Sequence, residues 1–366
     1  MSKYCSENER VKRQYAFRLK AVSGKQDSTV SAALKAISRF ETTTNHMAFK
    51  KFHIEQARSF RSRLVDEPGH GGRPLSSATI AATLTHIQRF FRWLSQEPGY
   101  RSALNANDAD YFSPTEQDVR IASARRERAV ASLDDIKRVL ALMPSGTAIE
   151  KRDRALIAFA ILSNARDAAL ASFRLKHVNL AERTVFQDAR EVDTKRRKTF
   201  TSDFFPVGPE AVAIVADYLH FLKVELGFGQ DDPLFPSTLV KQGETRGFEA
   251  QGLSRRPWTT TAPIRAVFHK AFVGAGLPYA NPHSFRRTLA LHMDGLNLTL
   301  EEEKAMSQNF GHDHVRTTRE YYGALPDHRR RAIMRRLDAP RSNQLWNEEI
   351  VAMEALLNRL KAGQTD

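Results

Sequence analysis

"GHDHVRTTREYYG", residues 311–323, sets two histidines, two threonines, two arginines and two adjacent tyrosines in a single short stretch. Just before it, "TLEEEKAMSQNFGHDH" (299–314) has Thr299 and Glu302 at capping-box spacing, and Gly311 is placed to stop that helix. His312 is therefore expected in a tight turn rather than on a free surface. Neighbouring helical residues point about 100° apart, so at most one of Tyr321 and Tyr322 faces a common site. His312, Asp313 and His314 lack the spacing of a zinc site and have no cysteine near them, so metal binding is set aside.

Upstream, "NPHSFRRTLALHM" (281–293) opens with Asn281 suited to an N-cap and Pro282 to the first helical position. His283 and Arg286 then share one face of the first turn. Free backbone N–H groups and the positive end of the helix dipole lie there too, which makes a seat for phosphate. Taken alone, the H-x-x-R pair is a weak signal, and a packed histidine beside a solvated arginine is its more ordinary reading.

The whole chain points toward a polyanion. Its 366 residues suggest about two domains. Lys+Arg 56 against Asp+Glu 42 gives a net charge of +14 and a pI near 9.9, a balance that favours nucleic acid. Cys5 is the sole cysteine, which excludes an internal disulfide or a CxxC zinc site and fits a reducing cytoplasm. The longest apolar run, "ALIAFAIL" (155–162), falls far short of the roughly 20 residues that span a bilayer. The N-terminal stretch is charged and has no apolar h-region, so export is not expected.

Residues 1–28 are polar and read as a loosely attached arm with a short stripe at Tyr15, Phe17 and Leu19. From 29 to 113 the pattern is helical: Ala32, Ala33, Ala36, Ile37 and Phe40 share a face, and Ile80, Leu84, Ile87, Phe91 and Leu94 form a stripe behind an N-cap at Ser76 or Ser77. The arginine-rich stretch 114–130 reads as a basic linker able to track a phosphate backbone. Helical periodicity resumes at Ser132, which sits three residues before Asp135 in capping-box fashion. Between them, "TVFQ" (184–187) and "FFPV" (204–207) are β-prone and bracket a basic tip, which predicts a β-hairpin. The expected fold is mainly α with a small β-hairpin or sheet: a helical domain over 29–113, a second domain over 131–340, and an amphipathic tail over 341–366 with a stripe at Leu345, Ile350, Met353, Leu356 and Leu357. Neither a phosphate loop nor a dinucleotide fingerprint is present.

Together these residues resemble the tyrosine recombinases, the phage or lambda-type integrases, over about residues 30–340. The signature is H-x-x-R, about 25 residues, G-H, and a tyrosine nine positions after that histidine behind a T-T pair. Here it is His283, Arg286, Gly311, His312, Thr317, Thr318 and Tyr321. The resemblance implies Tyr321 as nucleophile and Tyr322 as its packing neighbour. It implies a further arginine at a helix end, Arg166, with Arg174 the runner-up. It also implies a hairpin lysine, Lys195, with Lys198 the alternative. The acidic residue usual three positions after that arginine is Ala169 here, and Asp167 is the nearest carboxylate.

What the resemblance implies is a helical core-binding domain joined to a catalytic domain of the DNA-breaking-rejoining fold. The activity is DNA cleavage and rejoining through a 3'-phosphotyrosyl bond, without metal or nucleotide cofactor, by a tetramer on double-stranded DNA at short inverted-repeat core sites. The chemistry stands independently of the name. Two arginines can neutralise the non-bridging oxygens of a transferring phosphate. A phenol with a pKa of about 10 needs a base, the candidate being His283, and the leaving 5'-oxygen needs an acid, the candidate being Lys195. His312 would bond the phosphate or orient Tyr321. A type IB topoisomerase uses similar residues, and a DNA-binding accessory protein without catalysis is the remaining alternative.

Overall fold

The computed structural model describes residues 5–116, 120–121, 130–194, 197–242, 248–296, 298–316, 318 and 327–338. The expected tail over 341–366 and most of the expected basic linker lie outside the described residues. The chain divides into two compact units, Met1–Arg126 and Glu127–Asp366.

In the first unit, α1 (Ser6–Ala21), α2 (Asp27–Thr43), α3 (Ile54–Asp66) and α4 (Ser77–Leu94) surround one apolar core, closed by a 3-10 segment at Ala106–Phe112. The predicted faces of α2 and α4 are the buried ones, and the Ser76 hydroxyl caps α4 by accepting the Thr79 N–H. Seven phenylalanines, Phe40, Phe49, Phe52, Phe60, Phe90, Phe91 and Phe112, meet mostly edge-to-face, with Phe52 stacked on Phe91 at 4.2 Å. Such pairs add to the energy of plain burial.

The expected loose arm over 1–28 is corrected. Residues of α1 belong to this core through Val11 and Tyr15, whereas Phe17 is 71% exposed. The decisive residue is polar. Buried Asn8 donates to Glu41 Oε1 at 3.1 Å and to the Met47 carbonyl at 3.0 Å, and its Oδ1 accepts the Phe49 N–H. A satisfied polar hub is invisible to apolar periodicity.

The second unit is built on α6 (Ala148–Ser163), which follows α5 (Leu133–Leu142) and whose residues Ala155–Ser163 are all buried. The apolar run at 155–162 is thus a core helix, and α6 starts with a Thr147–Glu150 capping box. After it come α7 (Asp167–Ser172), α8 (Pro209–His220, extended by a π turn at Phe221–Glu225), α9 (Ala262–Gly274), α10 (Pro282–Asp294), α11 (Leu300–Asn309) and α12 (Asp327–Asp338). No helix among the described residues is long and apolar enough to cross a membrane.

Strands β1 (Val178–Asn179), β2 (Thr184–Gln187) and β3 (Phe200–Asp203) form an antiparallel sheet in that order, with Val185 opposite Ser202. The return strand is therefore "FTSD" rather than "FFPV". Phe205 and Val207 are buried because the segment plugs the core: the Phe205 N–H bonds the Leu162 carbonyl at 2.8 Å, at the end of α6. A second hairpin, β4 (Pro236–Gln242) with β5 (Phe248–Pro257), was not expected. Strand β4 carries no apolar alternation, since outward from Pro236 it grows steadily more exposed. Backbone pairing holds it, and its root is fixed by Arg152, which donates to the Pro236 carbonyl and the Thr238 hydroxyl, each at 3.0 Å.

Candidate active site

The site is assembled at the C-terminal end of α6. Asn164 ends the helix in the left-handed region at φ 54, a conformation that asparagine tolerates better than most residues. This turn sends the chain back so that Arg166 stands at the N-cap of α7. It also exposes the Asn164 carbonyl, which accepts from Arg286 Nη1 at 2.6 Å. Arg286, one turn into α10 and 3% exposed, donates through Nη2 to the Phe310 carbonyl at 2.9 Å and lies over the Phe310 ring. Arg166 and Arg286 line one narrow cleft together with Asn164, Ala169, Thr194 and Phe310. Two guanidiniums from distant parts of the chain thus meet where an anion would be held.

His312 joins them from the turn after α11. Its Nε2 lies 3.4 Å from Arg286 Nη2, and its Nδ1 lies 2.8 Å from the Thr318 hydroxyl, which donates to Ser307 Oγ at 3.0 Å. That chain leaves Thr318 as acceptor from Nδ1–H, so Nε2 carries the lone pair, facing the guanidinium. The His312 N–H bonds the Ser307 carbonyl, which fixes the backbone as well. His283 occupies the first turn of α10 on the face of Arg286 and is exposed.

The β2–β3 hairpin is pinned onto this turn. Asn309 uses its side-chain amide like a strand edge, accepting the Asp203 N–H at 2.7 Å and donating to the Asp203 carbonyl at 3.0 Å. Gly311 has φ 73, and a Cβ there would fall 2.8 Å from the Phe200 ring, so glycine is required twice over. Lys198 reaches the Gly311 carbonyl at 3.2 Å and the Asp313 carboxylate at 2.6 Å. At the other end of the loop, the Asp193 N–H bonds Ser172 Oγ at 2.9 Å, and Glu191 takes His177 Nε2 and Lys176. Arg190 beside Asp188 holds that carboxyl down to about 2.

Of the expected site residues, Arg166, Arg286 and His312 are brought together, and His283 lies on the adjoining turn. Arg174 is held elsewhere, beside Asp231. Lys195, Tyr321, Tyr322 and Thr317 lie outside the described residues. Asp167, the carboxylate nearest to Arg166 in sequence, is taken by Arg265 at 2.6 Å, while Ala169 is buried against the cleft. Sequence reasoning missed Asn164 and Asn309. An asparagine directly behind a long apolar run was the available signal for the first. Nothing local marked the second, because its partner is 106 residues away.

The fold and this cluster define a DNA-breaking-rejoining catalytic unit. The sequence matches the Phage integrase family over residues 130–328, more than half of the chain, and the chain belongs to that family of tyrosine site-specific recombinases. It is 24% identical to Tyrosine recombinase XerC 2 of Ralstonia nicotianae (strain ATCC BAA-1114 / GMI1000) over 284 residues, 78% of this chain and 71% of that protein. In fold it is similar to a lambda integrase dimer bound to a COC' core site, with TM-score 0.56 at 14% identity, covering 87% of this chain and 97% of that one. The Tn1549 transposon integrase in complex with transposon right end DNA gives TM-score 0.55 at 14% identity over 90% of this chain and 99% of that one.

Proposed function

We propose that this recombinase is the integrase of a mobile element, cutting and rejoining double-stranded DNA at short inverted-repeat sites through a 3'-phosphotyrosyl bond on Tyr321. The observation that carries the reading is the convergence of Arg286 and Arg166 on one cleft, with His312 3.4 Å from the Arg286 guanidinium. Cations so placed neutralise the non-bridging oxygens as charge builds in phosphoryl transfer. The phenol oxygen of Tyr321 attacks phosphorus, its proton passes to His283, and the bond to the 5'-oxygen breaks as Lys195 gives that oxygen a proton. Attack by a 5'-hydroxyl of the partner strand reverses the sequence and releases the tyrosine. The pairing of Lys198 with Asp313 favours Lys195 as the acid.

Assembly as a tetramer on two DNA sites is part of the same proposal, supported by likeness to a lambda integrase tetramer bound to a Holliday junction, TM-score 0.55 at 13% identity over 84% of this chain and 77% of that one. The helical first unit supplies further DNA contact, in keeping with the net charge of +14.

The test is covalent trapping. The protein is incubated with nicked duplexes of its native flanking DNA in EDTA, denatured in detergent, and the modified peptide is mapped by mass spectrometry. A nucleotide on Tyr321, lost in Tyr321→Phe and kept in Tyr322→Phe, is the expected result. Tight DNA binding with no adduct would convert the reading to a DNA-binding accessory protein.

A further inference from the structure

Two polar groups in the arginine cleft have no hydrogen-bond partner among the described residues. Asn164 and Thr194 are 2% and 5% exposed, and both ends of the Asn164 amide and the Thr194 hydroxyl lack a hydrogen-bond partner among the described residues. Both line the cleft shared by Arg166 and Arg286. An unpaired buried amide or hydroxyl is unfavourable, and folded chains keep few of them. Backbone needs do not explain either one. Glycine would adopt the φ of 54 at position 164 without a stranded amide, and valine would fill the volume of Thr194 without a stranded hydroxyl.

Resting on the recombinase reading, we propose that Asn164 Nδ2–H and the Thr194 hydroxyl donate to a non-bridging oxygen of the phosphodiester that Arg166 and Arg286 neutralise. The two side chains approach from different elements, Asn164 from the end of α6 and Thr194 from the β2–β3 loop, so together they fix the oxygen in direction as well as in charge. An amide exchanges its two ends by a flip, so Nδ2 is available to the ligand. Both groups are shielded from solvent and line the cleft that the two arginines share.

The experiment compares Asn164→Gly, Thr194→Val and Thr194→Ser with wild type. Single-turnover adduct formation on nicked duplexes of the native flanking DNA is measured beside thermal melting of the protein alone. Asn164→Gly keeps the left-handed turn and the carbonyl that Arg286 uses. Both Asn164→Gly and Thr194→Val are expected to slow adduct formation by about a hundredfold, as loss of one oxyanion donor does elsewhere. Thr194→Ser retains the rate, and Thr194→Val melts no lower than wild type because an unpaired group has been removed. A structural role predicts the opposite pairing: Thr194→Val melting several degrees lower, which would show the hydroxyl holding a buried water, overturns the inference. So do rates within about twofold of wild type in both deletion variants, in which case the recombinase reading stands. If wild type forms no adduct on DNA it binds, that reading fails and the inference falls with it.

Discussion

Arg286 donates to the main-chain carbonyl of Asn164 at 2.6 Å across 122 residues of sequence. One guanidinium thereby ties the end of the central helix to the turn that carries His312, since its other arm holds the Phe310 carbonyl. A side chain so buried and so engaged is preorganised, which lets it stabilise developing charge without reorganising during reaction.

Replacing that fork by an ammonium tests the point. Arg286→Lys has a point charge that cannot span both carbonyls in the guanidinium plane. Adduct formation is expected to fall by roughly 100-fold or more. Trapping yields near wild type would mean that charge alone suffices at this position.

Gly311→Ala is expected to destabilise the second unit by about 2–4 kcal/mol, from left-handed strain plus crowding against Phe200. Urea denaturation measures it. The double variant with Phe200→Leu should recover part of the loss, and a single variant as stable as wild type refutes the close approach.

Asn309→Ala removes both bonds to Asp203 and should release the edge of β3 from α11. The cost is about 1–2 kcal/mol, with loss of amide exchange protection centred on Asp203. Unchanged protection there would show that Lys198 and Phe200 hold the hairpin without it.

Asp188 has a carboxyl held at about 2, chiefly by hydrogen bonds from Arg190. A depressed folded value means that its contribution to stability is present above the ordinary carboxylate range and is lost as pH falls toward 2. Carbon NMR of the Asp188 carboxyl should give that midpoint, and Arg190→Gln should move it upward. An ordinary midpoint in wild type would place the ion pair outside the solution structure.

Tyr100 behaves in the opposite sense. Burial first, then its bond to Glu7, pushes the phenol to about 12. Its stabilising share is full below the free phenol's range and is lost as pH rises through that value. Ultraviolet titration should show, beside the phenols of Tyr15, Tyr218 and Tyr279 that burial also raises, a phenol near 12 that disappears in Tyr100→Phe. That variant should also loosen α1, by about 1 kcal/mol.

Much of this was legible in the chain itself. Capping boxes at Ser132 and Thr299, the buried faces of α2 and α4, and the stop at Gly311 are local, and each reports on atoms a few residues apart. The signature positions His283, Arg286 and His312 were readable for the same reason. The placement of α1 was not, because its anchor is Asn8 bonding residues 33 to 41 positions away. Nor was the β4–β5 hairpin, whose β4 is buried only at its root and shows no apolar alternation.

By itself, then, the sequence determined the mainly helical class, the starts of α4, α5, α10 and α11, and the residue types from which a phosphate site is made. Only the tertiary structure decided that Arg166 and Arg286 share one cleft, that Asn309 and Gly311 receive the β-hairpin, and that the Asn164 amide and Thr194 hydroxyl beside the two arginines have no partner among the described residues. Helices follow from contacts within a turn or two, and such contacts are written in consecutive residues. A cleft follows from which surfaces pack, and packing joins residues whose separation in sequence carries no period to read.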